Sequence, residues 1–132
     1  MLHVLIHMER RGAPATSDDI AQMLGTNPVV VRRTMAGLRN EGYVRSEKGH
    51  GGGWALARPL DRITLLDVHR ALGNPSVFAI GVEQDNPACL VEQAVNAALA
   101  DALRQAERIL LEKLGGVTLA ELARDVDRRF CA

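Results

Sequence analysis

Residues 16–56 read TSDDIAQMLGTNPVVVRRTMAGLRNEGYVRSEKGHGGGWAL, and the spacing of polar and apolar residues in this stretch decides the fold. Thr16 is suited to cap a helix, and Asp19 can close a capping box with it. Gly25 offers the left-handed conformation that ends many helices, and Asn27-Pro28 combines a new cap with proline at the first helical position. The spacing therefore predicts two helices joined by a tight turn of about three to four residues.

Both helices have one apolar side, which predicts that they pack on each other and on the rest of the domain. The inward residues of the pair are Ile20, Ala21, Leu24, Val31, Met35 and Leu38. The outward side of the second helix carries three arginines: Arg32, Arg33 and Arg39.

A glycine-tipped hairpin follows the second helix. Tyr43-Val44 and Trp54-Ala55-Leu56 have strand character, and the glycines between them permit positive φ angles. The preceding segment, residues 12–15, is predicted to be extended and to pair with this hairpin. We therefore expect a mainly α fold with a small β-wing, a winged helix-turn-helix domain.

This arrangement predicts contact with double-stranded DNA. A major groove admits one helix, whose first residues reach base edges, while a wing can follow phosphates or a minor groove. A solvated helical face and an unliganded surface hairpin are the alternatives, and Arg58 at a strand end has a structural alternative too. The candidate DNA-contacting residues are Thr26, Asn27, Pro28, Val29, Val30, Arg32, Arg33, Arg39, Lys48, His50, Gly51, Gly52 and Arg58.

Composition excludes several other classes of protein. Two cysteines are too few for a disulfide scaffold, and 3% aromatic residues offer no stacking platform for single-stranded nucleic acid. Without a run of about eighteen apolar residues, neither a membrane span nor a secretory signal is expected, which favours a cytoplasmic protein. Residues 1–58 carry a net charge of +3 and residues 59–132 a net charge of −3, so the basic half contains the predicted DNA-binding head.

The chain outside this head is predicted to be mostly helical. A first helix over residues 1–11 turns Leu2, Leu5, Ile6 and Met8 inward, and its His3 and His7 are spaced as metal ligands but have no further ligand nearby. Thr64 caps a helix that ends near Leu72-Gly73, with Leu65, Leu66, Val68 and Leu72 inward. Thr118 caps a short C-terminal helix whose inward face contains Leu119, Leu122, Ala123 and Val126, and the last residues, 128–132, are expected to fray.

A long helix is predicted over residues 89–114, which contain no proline or glycine. Its apolar stripe is wider than one contact needs, which indicates two partners: its own domain and a second copy of the chain. The predicted organisation is a DNA-binding domain at residues 1–72, a sensor loop at 73–88, and a dimerisation helix with a C-terminal helix at 89–132. The alternative is a long helix that packs inside its own monomer.

Three stretches resemble the signatures of the Rrf-two family of bacterial winged helix-turn-helix transcriptional regulators. They are TNPVVVRR at 26–33, GHGGGWALAR at 49–58 and ITLLDV at 63–68. The resemblance implies a homodimer that binds an imperfect promoter palindrome, usually as a repressor. It also implies that the loop before the long helix senses an iron–sulfur cluster, nitric oxide, thiol stress or a metabolite.

The sensor region departs from the pattern of the cluster-binding relatives that this chain resembles. Those relatives place three cysteines in and just after the loop, whereas this chain has Cys89 there and its other cysteine, Cys131, far along the chain. No cofactor is therefore predicted, and a cluster completed by His, Asp or Glu, or by the partner subunit, is the alternative. A thiol switch at Cys89, at the start of the long helix, is the preferred hypothesis, and an inert packed cysteine is the alternative.

Residues 50–54, HGGGW, also match the oxyanion loop of some esterases. That chemistry needs a nucleophilic serine in a G-x-S-x-G turn, and none of Ser17, Ser46 and Ser76 has such flanks. The chain is therefore predicted not to be an enzyme, with no catalytic or metal-binding residues. A winged helix used for protein contact without DNA remains the other alternative.

Overall fold

The structure is a computed structural model that describes residues 1–77 and 89–131. Six α-helices and one two-stranded sheet account for most of this part of the chain. In chain order they are α1 (Leu2–Arg11), α2 (Ser17–Leu24), α3 (Pro28–Asn40), β1 (Val44–Glu47), β2 (Gly53–Leu56), a 3₁₀ turn (Leu60–Arg62), α4 (Leu65–Ala71), α5 (Leu90–Gly115) and α6 (Leu119–Phe130). The predicted fold, mainly α with a small β-wing, is confirmed.

The helix-turn-helix forms as its local sequence predicts. Thr16 and Asp19 make both hydrogen bonds of a capping box, and Gly25 is left-handed with φ 64°. Val31 and the two other predicted inward residues of α3 are buried. The prediction for Leu24 is wrong, because its side chain is 39% exposed. Leu24 is the last residue of a short helix, where the chain turns away at Gly25 and leaves this side chain at the edge of the helix pair.

The hairpin is attached to the segment before α2. Strands β1 and β2 pair antiparallel, with Val44 opposite Leu56. Ala15 and Trp54 exchange two backbone hydrogen bonds, Ala15 N–H to Trp54 O at 2.9 Å and Trp54 N–H to Ala15 O at 2.8 Å. The predicted pairing of the extended segment with the wing is therefore confirmed.

Helix α1 packs against β2 and α6 and contributes to the core. Leu5, Ile6 and Met8 are buried as predicted, whereas Leu2 is half-buried. Val4 is fully buried, although the predicted inward set left it out. The buried face of α1 therefore includes Val4, which the helical spacing alone did not indicate.

A second backbone bridge joins the starts of α4 and α6. The N–H of Leu65 donates to the Val117 carbonyl at 3.0 Å, and the N–H of Leu119 donates to the Ile63 carbonyl at 2.8 Å. The bridge thus pairs Thr64 with Thr118, the two residues that cap these helices. Both threonines form capping boxes, with the third helical residue as the acidic partner. Helix α6 is held against the domain by this bridge and covers the core with Leu119, which is fully buried.

The predicted inward face of α4 is only partly correct. Val68 is buried, and Leu65 and Leu66 are half-buried. Leu72 is 41% exposed, because the helix ends at Ala71 and Leu72 already belongs to the turn that follows. The predicted fraying of the C-terminus is likewise too early, since α6 continues to Phe130.

Helix α5 has 26 residues, none of which is buried in the described part of the chain. It packs against α4 through a face on which Leu103, Leu111 and Leu114 are half-buried. Within residues 1–77 and 89–131, no helix combines the length and apolarity needed to cross a bilayer. The predicted loop at 73–88 lies largely outside the described residues, so the predicted domain boundaries stay predictions.

Gly37 sets the distance between α3 and α4 and leads to a test of the packing. A Cβ atom on this residue would lie 2.5 Å from the Ala71 carbonyl oxygen, so alanine would force the two helices apart. We expect Gly37→Ala to lower the free energy of unfolding by about 1–3 kcal/mol, the usual result of overpacking. This is opposite in sign to the gain of about 1 kcal/mol that alanine brings over glycine inside a helix.

Urea unfolding midpoints measure this effect, and Gly116→Ala is the matched control. A Cβ on Gly116 would come no closer than 3.6 Å to another atom, and its φ of −95° suits alanine. The control should be neutral or slightly stabilising. A Gly37→Ala variant as stable as the control would contradict the close approach.

Candidate nucleic-acid interface

The start of α3 is rigidly capped. The Asn27 side chain accepts a hydrogen bond from the N–H of Val30 at 3.1 Å, and Pro28 occupies the first helical position. Thr26 is exposed, and its N–H donates to the Ala21 carbonyl at 3.0 Å, which closes the turn from α2. The first turn of α3 therefore has a fixed orientation relative to α2, as a helix that enters a groove requires.

Apolar side chains are exposed on this first turn. Val29 is 60% exposed and Val30 is 47% exposed, whereas Val31 beside them is buried. The three consecutive valines thus divide between the core and the outer surface.

Arg32 and Arg33 follow on the same outer side of α3, and both are exposed. Within the described residues, neither forms an ion pair or stacks on an aromatic ring. By contrast, several other arginines are engaged: Arg10 pairs with Asp127, Arg11 with Asp19, Arg45 with Glu47, Arg104 with Asp101, and Arg128 and Arg129 with Asp125. The start of α3 is therefore a place where guanidinium groups face solvent without an acidic partner.

The wing tip exposes Lys48, His50 and Gly51. Gly51 has φ 76°, a conformation that other residues rarely adopt. Gly52 is half-buried, its N–H donates to the Gly49 carbonyl at 3.0 Å, and a Cβ on it would lie 2.3 Å from the Glu47 carbonyl oxygen. The glycines give the tip a tight turn with little side-chain bulk, and they place a cation and an imidazole at its surface.

Trp54 connects the wing to both helices of the helix-turn-helix. Its indole N–H donates to the Ser17 hydroxyl at 3.1 Å, at the first residue of α2. The Arg39 guanidinium lies over the indole ring, 6.0 Å from the ring centroid, at the end of α3. Sequence reasoning missed these side-chain contacts, although the predicted backbone pairing of residues 12–15 with the wing had pointed to the region. Arg39 thus contacts the wing as well as lying on the predicted surface.

Arg58 takes part in a second link, at the other end of the wing. Its guanidinium lies over the Tyr43 ring at 5.3 Å from the centroid. Burial opposes ionisation of Asp67, but hydrogen bonds from Thr64 and the Tyr43 hydroxyl outweigh it and hold the pKa of this carboxyl below its ordinary value. Burial, reinforced by Asp67, raises the pKa of Tyr43. Arg58 therefore packs on an aromatic ring. This agrees with a structural role, the alternative to DNA contact given for this residue above.

The candidate sensor and metal residues lie apart from this surface. Cys89 is half-buried and caps α5 without a side-chain hydrogen bond, and Cys131 is exposed at the end of α6. His3 and His7 stack on each other, with ring centroids 4.5 Å apart. Across residues 1–77 and 89–131, no three His, Cys, Asp or Glu side chains are grouped to hold a metal ion.

Known relatives of the chain are transcriptional regulators. YwnA of Bacillus subtilis, named as an HTH-type transcriptional regulator, is 30% identical over 92% of this chain and 90% of its own. An HTH-type regulator of Mycobacterium tuberculosis is 35% identical over 85% of this chain and 68% of its own. Among solved structures, CymR, the global cysteine regulator of Bacillus subtilis, is 26% identical with a TM-score of 0.64, over 92% of this chain and 88% of that one.

The Rrf2 family model, described as an iron-dependent transcriptional regulator, matches residues 1–125. This is the family that the three sequence signatures resemble. The described residues do not fit an iron site, because Cys89 and Cys131 have no grouped thiolate or imidazole partners there. The relatives regulate transcription and are not enzymes, which sets the esterase interpretation aside. The chain belongs to the Rrf2 family of DNA-binding transcriptional regulators.

Proposed function

We propose that the chain is a homodimeric repressor of the bacterial cytoplasm, which occupies an imperfect palindrome in a promoter. In this proposal α3 of each subunit enters a major groove and the wing follows the neighbouring backbone. The observation that carries it is the outer side of α3, where Val29 and Val30 are exposed next to two unpaired arginines.

The unpaired state of Arg32 and Arg33 favours phosphate contact. An arginine that already has a carboxylate partner must lose that partner, at least in part, before it can bind phosphate. Arg32 and Arg33 have no such partner among the described residues, so their charge is available to displace counterions from a duplex. Lys48 and His50 at the wing tip extend the same surface, and small glycines there permit a close approach to the backbone.

The outer face of α5 supports a homodimer. Val91, Val95 and Ile109 are 72%, 49% and 66% exposed, and Leu99 and Leu110 lie beside them at 41% and 38%. These residues recur at helical spacing on a side that α4 does not cover. Exposed apolar stripes of this length are typical of protein interfaces, and a second copy of the same helix offers a matching stripe.

Dimerisation through residues 89–114 would also explain how two DNA-binding domains act together. Two copies related by a two-fold axis can place their α3 helices in successive major grooves, roughly 34 Å apart. A helix of 26 residues is about 39 Å long at 1.5 Å per residue, enough to define the separation of the two domains.

Cys89 is the proposed site of a thiol switch. It is half-buried at the start of α5, and its side chain does not take part in capping that helix. Hydrogen peroxide would oxidise its thiol to a sulfenic acid and release one water molecule as the O–O bond breaks, which adds a polar group where the dimer helix begins. Oxidation of Cys89 would alter the spacing of the two DNA-binding domains and lower the affinity for DNA.

Replacement of Arg32 or Arg33 by alanine tests the phosphate contacts. We expect each variant to bind duplex DNA more weakly. The slope of log affinity against log salt should fall by roughly 1.8 for a homodimer, because each lost phosphate contact contributes about 0.9. Fluorescence anisotropy over a salt series measures both quantities on a duplex selected from genomic fragments.

Arg128→Ala is the matched control, since it removes the same charge from an exposed position on α6. Its affinity and salt slope should equal those of the unaltered chain. If Arg32→Ala and Arg33→Ala behave like this control, α3 does not meet the backbone there. Failure of the unaltered chain to bind any duplex at low salt would instead favour the protein-contact alternative for the winged helix.

A glutamate on the outer face of α5 tests the dimer. Val95→Glu and Ile109→Glu would bury charges against an apolar partner surface, so we expect both variants to sediment as monomers. The control is Ala97→Glu, which adds the same charge to an exposed position on the polar side of the same helix. Sedimentation at several concentrations distinguishes the states. An unaltered chain that is monomeric at every concentration would exclude this interface.

Mild oxidation tests the switch. After treatment with hydrogen peroxide, we expect one added oxygen on Cys89 by intact mass, lower DNA affinity and an unchanged dimer. Cys131→Ser should keep this response, and Cys89→Ser should lose it. An unmodified Cys89 with constant DNA affinity would show that the cysteine is an inert packing residue.

A further inference from the structure

The exposed valines at the start of α3 have no structural explanation within the described chain. Val29 and Val30 are the second and third residues of the helix, and both project to solvent. β-branched residues are mediocre helix formers, so the helix gains no local stability from them. Solvent-facing positions in a first turn usually carry polar or acidic residues, which suit the positive end of the helix dipole. Two apolar side chains there indicate a partner with an apolar component.

Polar side chains close to these valines already form hydrogen bonds with the backbone of their own helix. The Asn27 side-chain oxygen accepts from the Val30 N–H at 3.1 Å, and the Thr34 hydroxyl donates to the Val30 carbonyl at 3.0 Å. Recognition of adenine by asparagine requires that this oxygen accept from the base while the amide nitrogen donates to it. Asn27 therefore serves as a cap and is poorly placed to read adenine.

The arginines beside the valines favour DNA as this partner. They leave the valines to make an apolar contact with it. Val29 and Arg33 are one helical turn apart on the solvent side of α3, and Arg32 lies on the side of Arg39, which contacts the wing residue Trp54. A cationic border around an apolar spot suits a major groove, where the C5-methyl group of thymine is the apolar feature of the base edges.

We infer that Val29 and Val30 read thymine methyl groups, so that each operator half-site carries thymine at one or two positions opposite the first turn of α3. This inference rests on the proposed placement of α3 in the major groove. It assigns sequence selectivity to methyl contacts and leaves the arginines to phosphates or guanine.

Deoxyuridine provides the test, because it lacks the C5-methyl group and keeps every hydrogen-bonding group of thymine. A duplex selected from a random library by the full chain is prepared with each half-site thymine replaced singly by deoxyuridine, and affinities are measured at one salt concentration. We expect one or two replacements to weaken binding about fourfold, the effect of one buried methyl group. Val29→Ala and Val30→Ala should each abolish the difference between thymine and deoxyuridine at one position.

Leu72→Ala is the control, since Leu72 is a similarly exposed apolar residue in the turn that follows α4. It should leave the discrimination intact. Tight binding with equal affinity for thymine and deoxyuridine at every position would overturn the methyl readout and leave the proposed DNA-binding surface standing. Discrimination that persists unchanged in both valine variants would overturn it too. Failure to select any duplex would overturn both the inference and the proposed function.

Discussion

The pairing of Ala15 with Trp54 is the constraint on which the predicted DNA-binding surface depends. Two backbone hydrogen bonds fix the wing to the segment that enters α2, and the indole N–H then reaches Ser17 at the start of that helix. Gly53 permits this approach, because a Cβ on it would lie 2.6 Å from the Ala15 carbonyl oxygen. The Arg39 guanidinium, at the end of α3, lies over the same indole ring. The wing and both helices therefore keep one relative geometry. A protein that contacts a major groove and the neighbouring DNA backbone together needs that geometry before it binds the duplex.

Sequence reasoning succeeded where the determining interactions are local. The capping box of Thr16 with Asp19 and the cap at Asn27 involve residues three apart, so the chain itself specifies them. Reasoning failed at the ends of short helices, because exposure of Leu24 and Leu72 depends on where the chain turns. Of the predicted surface, the start of α3 and the wing tip are exposed together. The ring contacts of Arg39 and Arg58 join residues far apart in sequence, and no local pattern specifies them.

Charge pairing shows how a chain of zero net charge can still attract a polyanion. Arg10 and Arg11 of α1, and Arg128 and Arg129 of α6, are paired with carboxylates on their own or neighbouring helices. The wing behaves similarly at Arg45, whose guanidinium binds Glu47 and the Leu56 carbonyl. Arg32 and Arg33 lack such partners among the described residues, so the local field at α3 is positive while the total cancels. Net charge is therefore a poor guide to nucleic-acid binding here, and the distribution of unpaired cations is the better one.

Helix α4 lies between α3 and α5, the proposed dimer helix, and packs closely against both. On one side Gly37 brings α3 against the Ala71 carbonyl. On the other, Gly115 lies against Leu66, whose side chain would be 3.2 Å from a Cβ on that glycine. A Cβ at position 37 would meet backbone, whereas one at position 115 would meet the end of a leucine side chain, so only the first contact strictly requires glycine. Under the proposed homodimer, α4 would join α3 to the dimer helix, with the bridge between Thr64 and Thr118 holding the start of α4 to α6. The glycines at both contacts thus let α4 pack closely on α3 and α5, which larger residues would allow only by widening the gaps.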